Sequence, residues 1–345
     1  MSFRTRVASL KIQRWLPGVI ISGVAIYFIL KVINMKGLEL AFKSIQLPYL
    51  LAGLTLYLIS LVARAGAWRI LLEKKATLWQ AFIAMNEGYL INNFLPFRMG
   101  ELGRALLLGG ETGLGAVRVL STIIIERSFD LAIAAGLLLS MLPYALGLSW
   151  AGPVAITTLS VVLIGFVALF IISRNRKPVE AWIIRIGSGN ETVRKHVLPQ
   201  VDAFFLGLSA LRNPIQFISS LGLMLFSWAV AILEVYVLLL QFVPDAQLWW
   251  CALALGIIAL GIAIPSAPAS IGVWEASTIA AFSLFNIDAT SALAYAISVH
   301  LMNIIVNGVF GLYGLANSGK SISSLMHDLG LKQPPDEITM EQSHV

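Results

Sequence analysis

The chain breaks two of its apolar runs in the same way: residues 95–101 read LPFRMGE, and residues 265–275 read PSAPASIGVWE. Each stretch interrupts hydrophobic sequence with proline and glycine, ends in a glutamate and leads into further apolar residues. In membrane transporters, interrupted segments at corresponding places in two halves of a chain indicate the substrate site. The residues that would form these breaks and act as hinges are Pro96, Gly100, Pro268 and Gly272.

The composition is that of a membrane protein with several spans. Of the 345 residues 58% are hydrophobic and only 12% are charged, and the mean hydropathy is +0.84. Apolar content this high, arranged in runs of about 20 residues, is typical of transmembrane helices. The net charge of +6 then reflects basic loops and predicts no nucleic-acid partner. The single cysteine, Cys251, excludes an intrachain disulfide.

The apolar runs predict an all-α, polytopic transmembrane helical bundle with two broken or re-entrant helix pairs. Six runs are long enough to cross the bilayer. They cover residues 16–33, 48–68, 119–143, 151–172, 215–243 and 289–316. The broken pairs are residues 79–95 with 102–108, and residues 249–264 with 272–287. Because 16 helical residues reach only about 24 Å, less than a hydrocarbon core of about 30 Å, we expect re-entrant hairpins.

The distribution of basic residues predicts the orientation. If the N-terminus is cytoplasmic and each broken pair returns to the side where it starts, most of the 24 lysine and arginine residues fall on the cytoplasmic side. Arg64 and Arg69 are counted there, on the inner end of the second span. We therefore predict a protein of the plasma membrane with both termini in the cytoplasm.

The same orientation predicts two halves with inverted topology. Residues 48–143 form the first repeat and residues 215–316 the second, each a span, a broken pair and another span. Inverted repeats with broken helices near the midplane are a transporter architecture. The membrane domain would cover residues 1–318, including a basic cytoplasmic loop at 173–214. The polar tail at 319–345 is predicted to be disordered and cytoplasmic.

Three charged residues lie in one predicted span: Glu126, Arg127 and Asp130. Each costs about 2.5–3.5 kcal/mol at the centre of a helix that faces lipid, so they must face protein or water. Glu126 and Asp130 are four residues apart and share a helix face, and Arg127 is three residues from Asp130. Two interpretations stay open: a structural ion network and a functional site.

Charged residues also surround the two breaks. Arg98 and Arg104 flank Glu101 and offer positive charge to an anionic group such as a lipid phosphate. The helices that begin after Gly100 and Gly272 would add backbone N–H donors. Glu101 and Glu275 fall in the first turns of those helices, where a carboxylate also stabilises the helix dipole without any ligand.

A polar stripe runs along the last span. His300, Asn303 and Asn307 are followed by Gly311 and Gly314 at spacings of three and four residues, which places all five on one face. Small and polar residues at such positions form close helix contacts in membranes, so a packing seam is one interpretation. A histidine that titrates near neutral pH is the other.

Three motifs in order resemble a known family. They are NNFLPFRMGELGR at 92–104, IERSFD at 125–130 and PASIGVWE at 268–275. Together they resemble the lysylphosphatidylglycerol synthase transmembrane region family of flippase-like proteins, over about residues 16–315. The second loop departs from the Pro-Gly-Gly turn that is frequent in that family. The resemblance implies a lipid-translocating membrane domain. Bifunctional members add a soluble aminoacyltransferase domain, which we do not expect here, so synthase activity is not implied.

The leading hypothesis is a lipid translocase that moves an anionic or modified phospholipid or glycolipid between leaflets. Arg98, Arg104 and Arg127 would contact the phosphate. The alternatives are a membrane-embedded lipid-modifying transferase, with Glu101 or His300 as base, and a non-transporting partner subunit of a glycosyltransferase or lipid synthase. We predict no catalytic residue, metal or cofactor; the partners would be membrane lipids, with a homo-oligomer or a lipid-modifying enzyme as further candidates. The predicted headgroup-binding residues are Arg98, Glu101, Arg104, Glu126, Arg127, Asp130, Glu275, His300 and Asn303.

Overall fold

A computed structural model describes residues 20–31, 33–43, 45–95, 99–146, 213–263 and 266–319, together with isolated positions between 153 and 206. Within these ranges the chain is helical and contains no strand, so the predicted all-α fold is confirmed. Much of the predicted span at 151–172, of the loop at 173–214 and of the tail lies outside the described residues. The helices are α1 (Ile20–Lys31), α2 (Met35–Lys43), α3 (Leu47–Leu71), α4 (Leu78–Phe94), α5 (Gly100–Glu111), α6 (Ala116–Leu146), α7 (Pro214–Leu239), α8 (Leu248–Gly261), α9 (Val273–Ser283) and α10 (Ala289–Asn317).

The long helices agree with the predicted spans. In the described part of the chain α3, α7 and α10 are long and apolar enough to cross a membrane. With 31 residues, α6 extends over about 46 Å. It carries four charged residues in an otherwise largely apolar sequence. The first predicted span includes α1, and the chain turns by 91° between α1 and α2.

Local sequence accounts for where several helices begin. The Thr77 hydroxyl accepts a hydrogen bond from the Gln80 N–H at 3.1 Å, and the Gln80 side chain accepts one from the Thr77 N–H at 2.8 Å, which forms a capping box at the start of α4. The Asp288 carboxylate caps α10 by accepting hydrogen bonds from the backbone N–H groups of Thr290 and Ser291. These caps fix the first residues of the short helix α4 in the first half and of the long helix α10 in the second.

Each broken pair is an antiparallel hairpin. In the first, the Gln80 side chain near the start of α4 donates to the Glu111 carboxylate at the end of α5, at 2.8 Å. In the second, Trp250 near the start of α8 stacks on Phe285 just after α9, with ring centroids 5.0 Å apart. The 17 residues of α4 reach about 26 Å and the 14 residues of α8 about 21 Å. Both lengths are shorter than a hydrocarbon core of about 30 Å, which favours the re-entrant interpretation.

The two halves meet along α3 and α7, which run antiparallel. The Ser60 hydroxyl donates to the carbonyl oxygen of Ser227 at 3.1 Å, and the Ser227 hydroxyl donates to the carbonyl oxygen of Ser60 at 3.0 Å. One turn or more away, the Ser220 hydroxyl donates to the carbonyl oxygen of Ala67. Small polar residues allow this close approach and hydrogen-bond across the helices. The Ser60–Ser227 contact is reciprocal, as at a local twofold axis.

The order of elements is also the same in both halves. A long helix, two short helices and a long helix make up α3–α6, and the same order recurs in α7–α10. Between the halves, α4 packs on α10 and α6 packs on α8. By their order in the two halves, α4 corresponds to α8 and α6 corresponds to α10, so each of these contacts is the counterpart of the other. This is the arrangement that an inverted repeat would produce, and the inverted relation itself stays a prediction.

A glycine at the first break permits the tight first hairpin. A Cβ atom at Gly100 would collide with the carbonyl oxygen of Gly88 and lie 2.7 Å from the Asn92 side chain. We expect Gly100→Ala to lower the free energy of unfolding by about 1–3 kcal/mol through overpacking. Gly136→Ala on α6 is the matched control, because a Cβ there meets no atom within 4 Å and alanine favours a helix. Thermal unfolding in detergent micelles measures both, and equal midpoints for the two variants would contradict this packing.

Candidate functional site

A cavity of about 740 Å³ lies between the two halves, within the size range of small-molecule sites. Both hairpins contribute to its wall, as do α3, α6, α7 and α10. Apolar side chains of α8, among them Leu255 and Ile258, line part of it. The polar residues that line it include Tyr57, Arg64, Tyr89, Asn92, Asn93, Glu101, Arg127, Asp130, Glu234, Tyr295, His300, Asn303 and Asn307.

An ion network centred on Asp130 forms one wall of the cavity. Arg64 Nη1 donates to both carboxylate oxygens of Asp130, at 2.8 and 2.7 Å. Arg127 Nη1 lies 3.2 Å from Asp130 Oδ2, and the Trp228 indole N–H donates to Asp130 Oδ1 at 3.0 Å. Asp130 on α6 is therefore bonded to α3 and α7, and it joins the two halves.

A second carboxylate lies behind this wall. Glu126 is fully buried and accepts hydrogen bonds from Arg127 at 2.7 Å and from Arg104 at 2.9 Å. Arg104 is buried too, and its guanidinium lies 4.6 Å from the ring centroid of Trp68, a cation–π contact. Neither Glu126 nor Arg104 is among the residues that line the cavity. Their positions favour a structural role, whereas Arg127 and Asp130 both belong to the network and reach the cavity.

Arg64 is a charged residue that the sequence analysis did not include in the predicted site. The charge count grouped it with the cytoplasmic residues, whereas the structure places it within the 25-residue helix α3, where it pairs with Asp130 on α6. The signal was available, because residue 64 falls inside the apolar run 48–68. A charged side chain inside a span indicates a partner within the membrane, the argument already applied to Arg127.

The first break is held by Asn92. Its side-chain oxygen accepts a hydrogen bond from the Gly100 N–H at 2.7 Å, and its side-chain N–H donates to Glu101 at 3.5 Å. Glu101 lies in the first turn of α5 and lines the cavity, in electrostatic range of Arg127. Pro96 and Arg98 lie outside the described residues, so their predicted roles stay predictions.

The second break is held by a glutamate and a histidine. Glu275 Oε2 accepts a hydrogen bond from the Gly272 N–H at 2.6 Å, which is the capping role expected of Glu275. Its other oxygen, Oε1, lies 2.6 Å from His300 Nδ1. His300 Nε2 donates to the carbonyl oxygen of Ala269 at 2.8 Å. Trp274 stacks on the imidazole, with centroids 5.1 Å apart.

The polar stripe of α10 has one part that lines the cavity and another that packs on α4. His300, Asn303 and Asn307 line the cavity, and the Tyr57 hydroxyl donates to Asn307 at 3.0 Å. The glycines further along form a packing seam with α4. A Cβ atom at Gly311 would collide with Leu90 and the backbone of Asn86, and a Cβ atom at Gly314 would likewise collide with side chains of α4.

Glu234 adds a carboxyl group at the opposite side, on α7. It is buried and lines the cavity. Within the described part of the chain its carboxylate has neither an ion pair nor a hydrogen bond. The cavity therefore combines Arg64 and Arg127 with Glu101, Asp130 and Glu234, so its lining is mixed in charge and not simply cationic. The sequence analysis did not include Glu234 among the site residues.

The fold and the charged cavity define an integral membrane protein of the all-α class. Residues 15–311 match the family described as Lysylphosphatidylglycerol synthase TM region. The chain belongs to this family. It is also 25% identical over 232 residues to the UPF0104 membrane protein of Methanocaldococcus jannaschii, a match that covers 64% of this chain and 91% of that relative. The predicted resemblance is thus confirmed.

A double-mutant cycle tests whether Arg64 and Asp130 depend on each other. Asp130→Asn leaves the Arg64 guanidinium without its main partner, and we expect a loss of about 3–5 kcal/mol of stability, as for other broken buried pairs. Arg64→Gln with Asp130→Asn removes both charges and should recover a substantial part of that loss. Denaturant titrations in mixed micelles measure the free energies of unfolding.

The matched control is the exposed pair Lys43–Glu39, with its atoms 2.6 Å apart. Glu39→Gln should change stability by less than about 1 kcal/mol, since exposed pairs contribute little. If the effects of the two substitutions at positions 64 and 130 simply add, the two residues do not stabilise each other and the account of the network is wrong.

Proposed function

We propose that the protein moves a lipid with an anionic headgroup between the leaflets of the plasma membrane, with the headgroup in the cavity between the hairpins. The observation that carries this proposal is the pair Arg64 and Arg127, which presents two guanidinium groups to a polar cavity formed by both halves. Intramembrane ionisable residues in such cavities are typical of substrate pathways. The family description, which names a lipid-synthase membrane region, supports a lipid as the ligand.

The guanidinium geometry leaves hydrogen-bond capacity for a phosphate. Arg64 binds both Glu126 and Asp130 through the single atom Nη1. Within the described residues its Nη2 group has no partner, and it is free to donate to a ligand. Arginine suits this role because its fixed, planar donors match the oxygens of a phosphate group. A phosphate bound to Nη2 of Arg64 would leave the Nη1 contact with Asp130 in place. Binding would therefore keep the hydrogen bonds through which Asp130 joins the two halves.

The remaining lining suits the rest of a lipid. The amides of Asn92, Asn303 and Asn307 offer donors and acceptors to a polar headgroup. Apolar side chains of α8 line the same cavity and suit the apolar part of the molecule. We propose that the two hairpins move relative to each other to expose the cavity to either leaflet, as in transporters built from inverted repeats. Both termini would be cytoplasmic, and the candidate protein partners are a second copy of this chain and a lipid-modifying enzyme.

The arrangement of His300 argues against His300 as the base of the enzymatic alternative, in which Glu101 is the other candidate. A general base needs a free nitrogen within reach of the substrate. Both ring nitrogens of His300 are hydrogen-bonded to protein atoms. Translocation requires no such free base, and it is therefore the function that the cavity supports best.

A proteoliposome assay tests the proposal. Purified protein is reconstituted with fluorescent phosphatidylglycerol or fluorescent phosphatidylcholine, and movement to the outer leaflet is measured by chemical quenching. We expect movement of the anionic lipid at least about tenfold faster than in empty liposomes, a difference in barrier of about 1.4 kcal/mol. Arg127→Gln should abolish most of this increase because it removes one of the two guanidinium groups at the cavity.

Arg118→Gln is the matched control. Arg118 also lies on α6, but it pairs with Glu73 at 2.7 Å and does not line the cavity. Its variant should move lipid like the wild type. Equal rates for Arg127→Gln and wild type, or no movement of anionic lipid by any variant, would contradict the proposed function.

A further inference from the structure

The hydrogen bonds around His300 fix the number of protons on the Glu275–His300 pair. The carbonyl oxygen of Ala269 accepts only, so His300 Nε2 must carry a hydrogen. The contact of 2.6 Å between His300 Nδ1 and Glu275 Oε1 requires a second hydrogen between those atoms. That hydrogen resides either on the imidazole, next to a carboxylate, or on the carboxylic acid, next to a neutral imidazole. In both forms the pair has no net charge and holds one more proton than separate neutral histidine and carboxylate.

Loss of that proton would break the arrangement. A neutral imidazole keeps one N–H, on either nitrogen. Without the extra proton, either the Nδ1 lone pair faces a carboxylate oxygen at 2.6 Å or the Nε2 lone pair faces the carbonyl oxygen of Ala269 at 2.8 Å, with no hydrogen between the two atoms. The pair would also acquire a net negative charge at a largely buried position, where an uncompensated charge is costly. One of the two contacts of His300 would therefore be lost.

Those hydrogen bonds hold both ends of the second break. His300 Nε2 binds Ala269 near the start of the turn, and Glu275 Oε2 binds the N–H of Gly272 at its end. The backbone between them is strained: φ is 57° at both Ala269 and Ser270 and 85° at Gly272. Non-glycine residues adopt such angles only when the surrounding structure holds them there. The proton thus joins the long helix α10 to the strained turn before α9.

Among the described residues of the second hairpin, no other carboxylate or histidine stands beside the pair. Glu275 is the only charged residue in the described sequences of α8 and α9. The ionisable groups that face the same cavity are Glu101 on α5, Arg127 and Asp130 on α6, Tyr57 and Arg64 on α3, Tyr89 on α4, Glu234 on α7 and Tyr295 on α10. Arg127 and Arg64 are paired with carboxylates of their own network. The charge of the Glu275–His300 pair is therefore set by its own proton.

From this geometry we infer that Glu275 and His300 form a proton-binding site, and that the bound proton fastens the turn at residues 267–272 to α10. The ligand of this site is a single proton exchanged with the water of the cavity, which His300 lines. In combination with the proposed function, on which this last step rests, release of the proton would free the second hairpin and couple lipid movement to pH.

Glutamine at position 275 provides a sharp test. In Glu275→Gln the amide N–H can donate to His300 Nδ1 while the amide oxygen accepts from the Gly272 N–H. The whole set of hydrogen bonds is then kept without an exchangeable proton. The reporter is Ser270→Cys in a Cys251→Ala background. Its labelling by a maleimide is measured between about pH 6 and about pH 9, the range around histidine titration. Lys36→Cys, at an exposed position, corrects for ionisation of the thiol.

After this correction, labelling in the parent protein should accelerate with rising pH, by at most about tenfold per unit as for release of one proton. In Glu275→Gln it should stay slow and independent of pH. The same pH profile in both proteins would overturn the inference.

Nitrogen-15 spectra of the histidine side chains in nanodiscs test the inference on the protein with the pair intact. The chain has four histidines, and His300→Gln identifies the resonance of interest. At about pH 7 we expect a hydrogen-bonded proton on both contacts of His300, and a neutral ring with an unbonded Nδ1 would overturn the inference. If the liposome assay shows no lipid movement, the proposed function fails, whereas labelling and spectra still decide whether the proton site exists.

Discussion

Charged groups inside a membrane must find partners of opposite charge, and this constraint organises the whole molecule. Glu126 and Asp130 on α6 require cations, and they find them on α3, on α5 and on α6 itself. Leaving one of these charges unpaired in a buried position costs several kcal/mol. The network therefore holds the first half together, and the bond from Trp228 to Asp130 attaches the second half to it.

The two hairpins use different chemistry for the same purpose. In the first, an asparagine side chain accepts a hydrogen bond from the N–H of the glycine that begins α5. In the second, a glutamate accepts a hydrogen bond from the N–H of the glycine that precedes α9, and a histidine on α10 contacts the other oxygen of that glutamate. Both breaks thus end in a backbone N–H bound by a side chain, and both place a glutamate in the following turn. Only the second contains a histidine, whose two hydrogen-bonded ring nitrogens are the basis of the proposed proton site. The two hairpins therefore differ in chemistry although their frames are similar.

Apolar runs and helix breakers were sufficient to predict most of the fold. The runs at 48–68, 215–243 and 289–316 correspond to α3, α7 and α10 within a few residues, because length and hydropathy directly reflect the bilayer. The site was less predictable. Glu126, Arg127 and Asp130 were correctly grouped because they lie on one helix, but their partner Arg64 is 62 residues from Glu126 along the chain. Helix periodicity contains no information on such contacts, which depend on how the helices pack. The burial of Arg104 against Trp68 was unpredictable for the same reason.

Native mass spectrometry of the purified protein tests most directly whether the cavity holds an anionic headgroup. The account predicts that wild type and Arg118→Gln retain an anionic lipid from the membrane in which they are produced, and that Arg127→Gln loses it while remaining folded. Lipids bound to the wild type in the same proportions as in the bulk membrane, or retained equally by Arg127→Gln, would contradict the account.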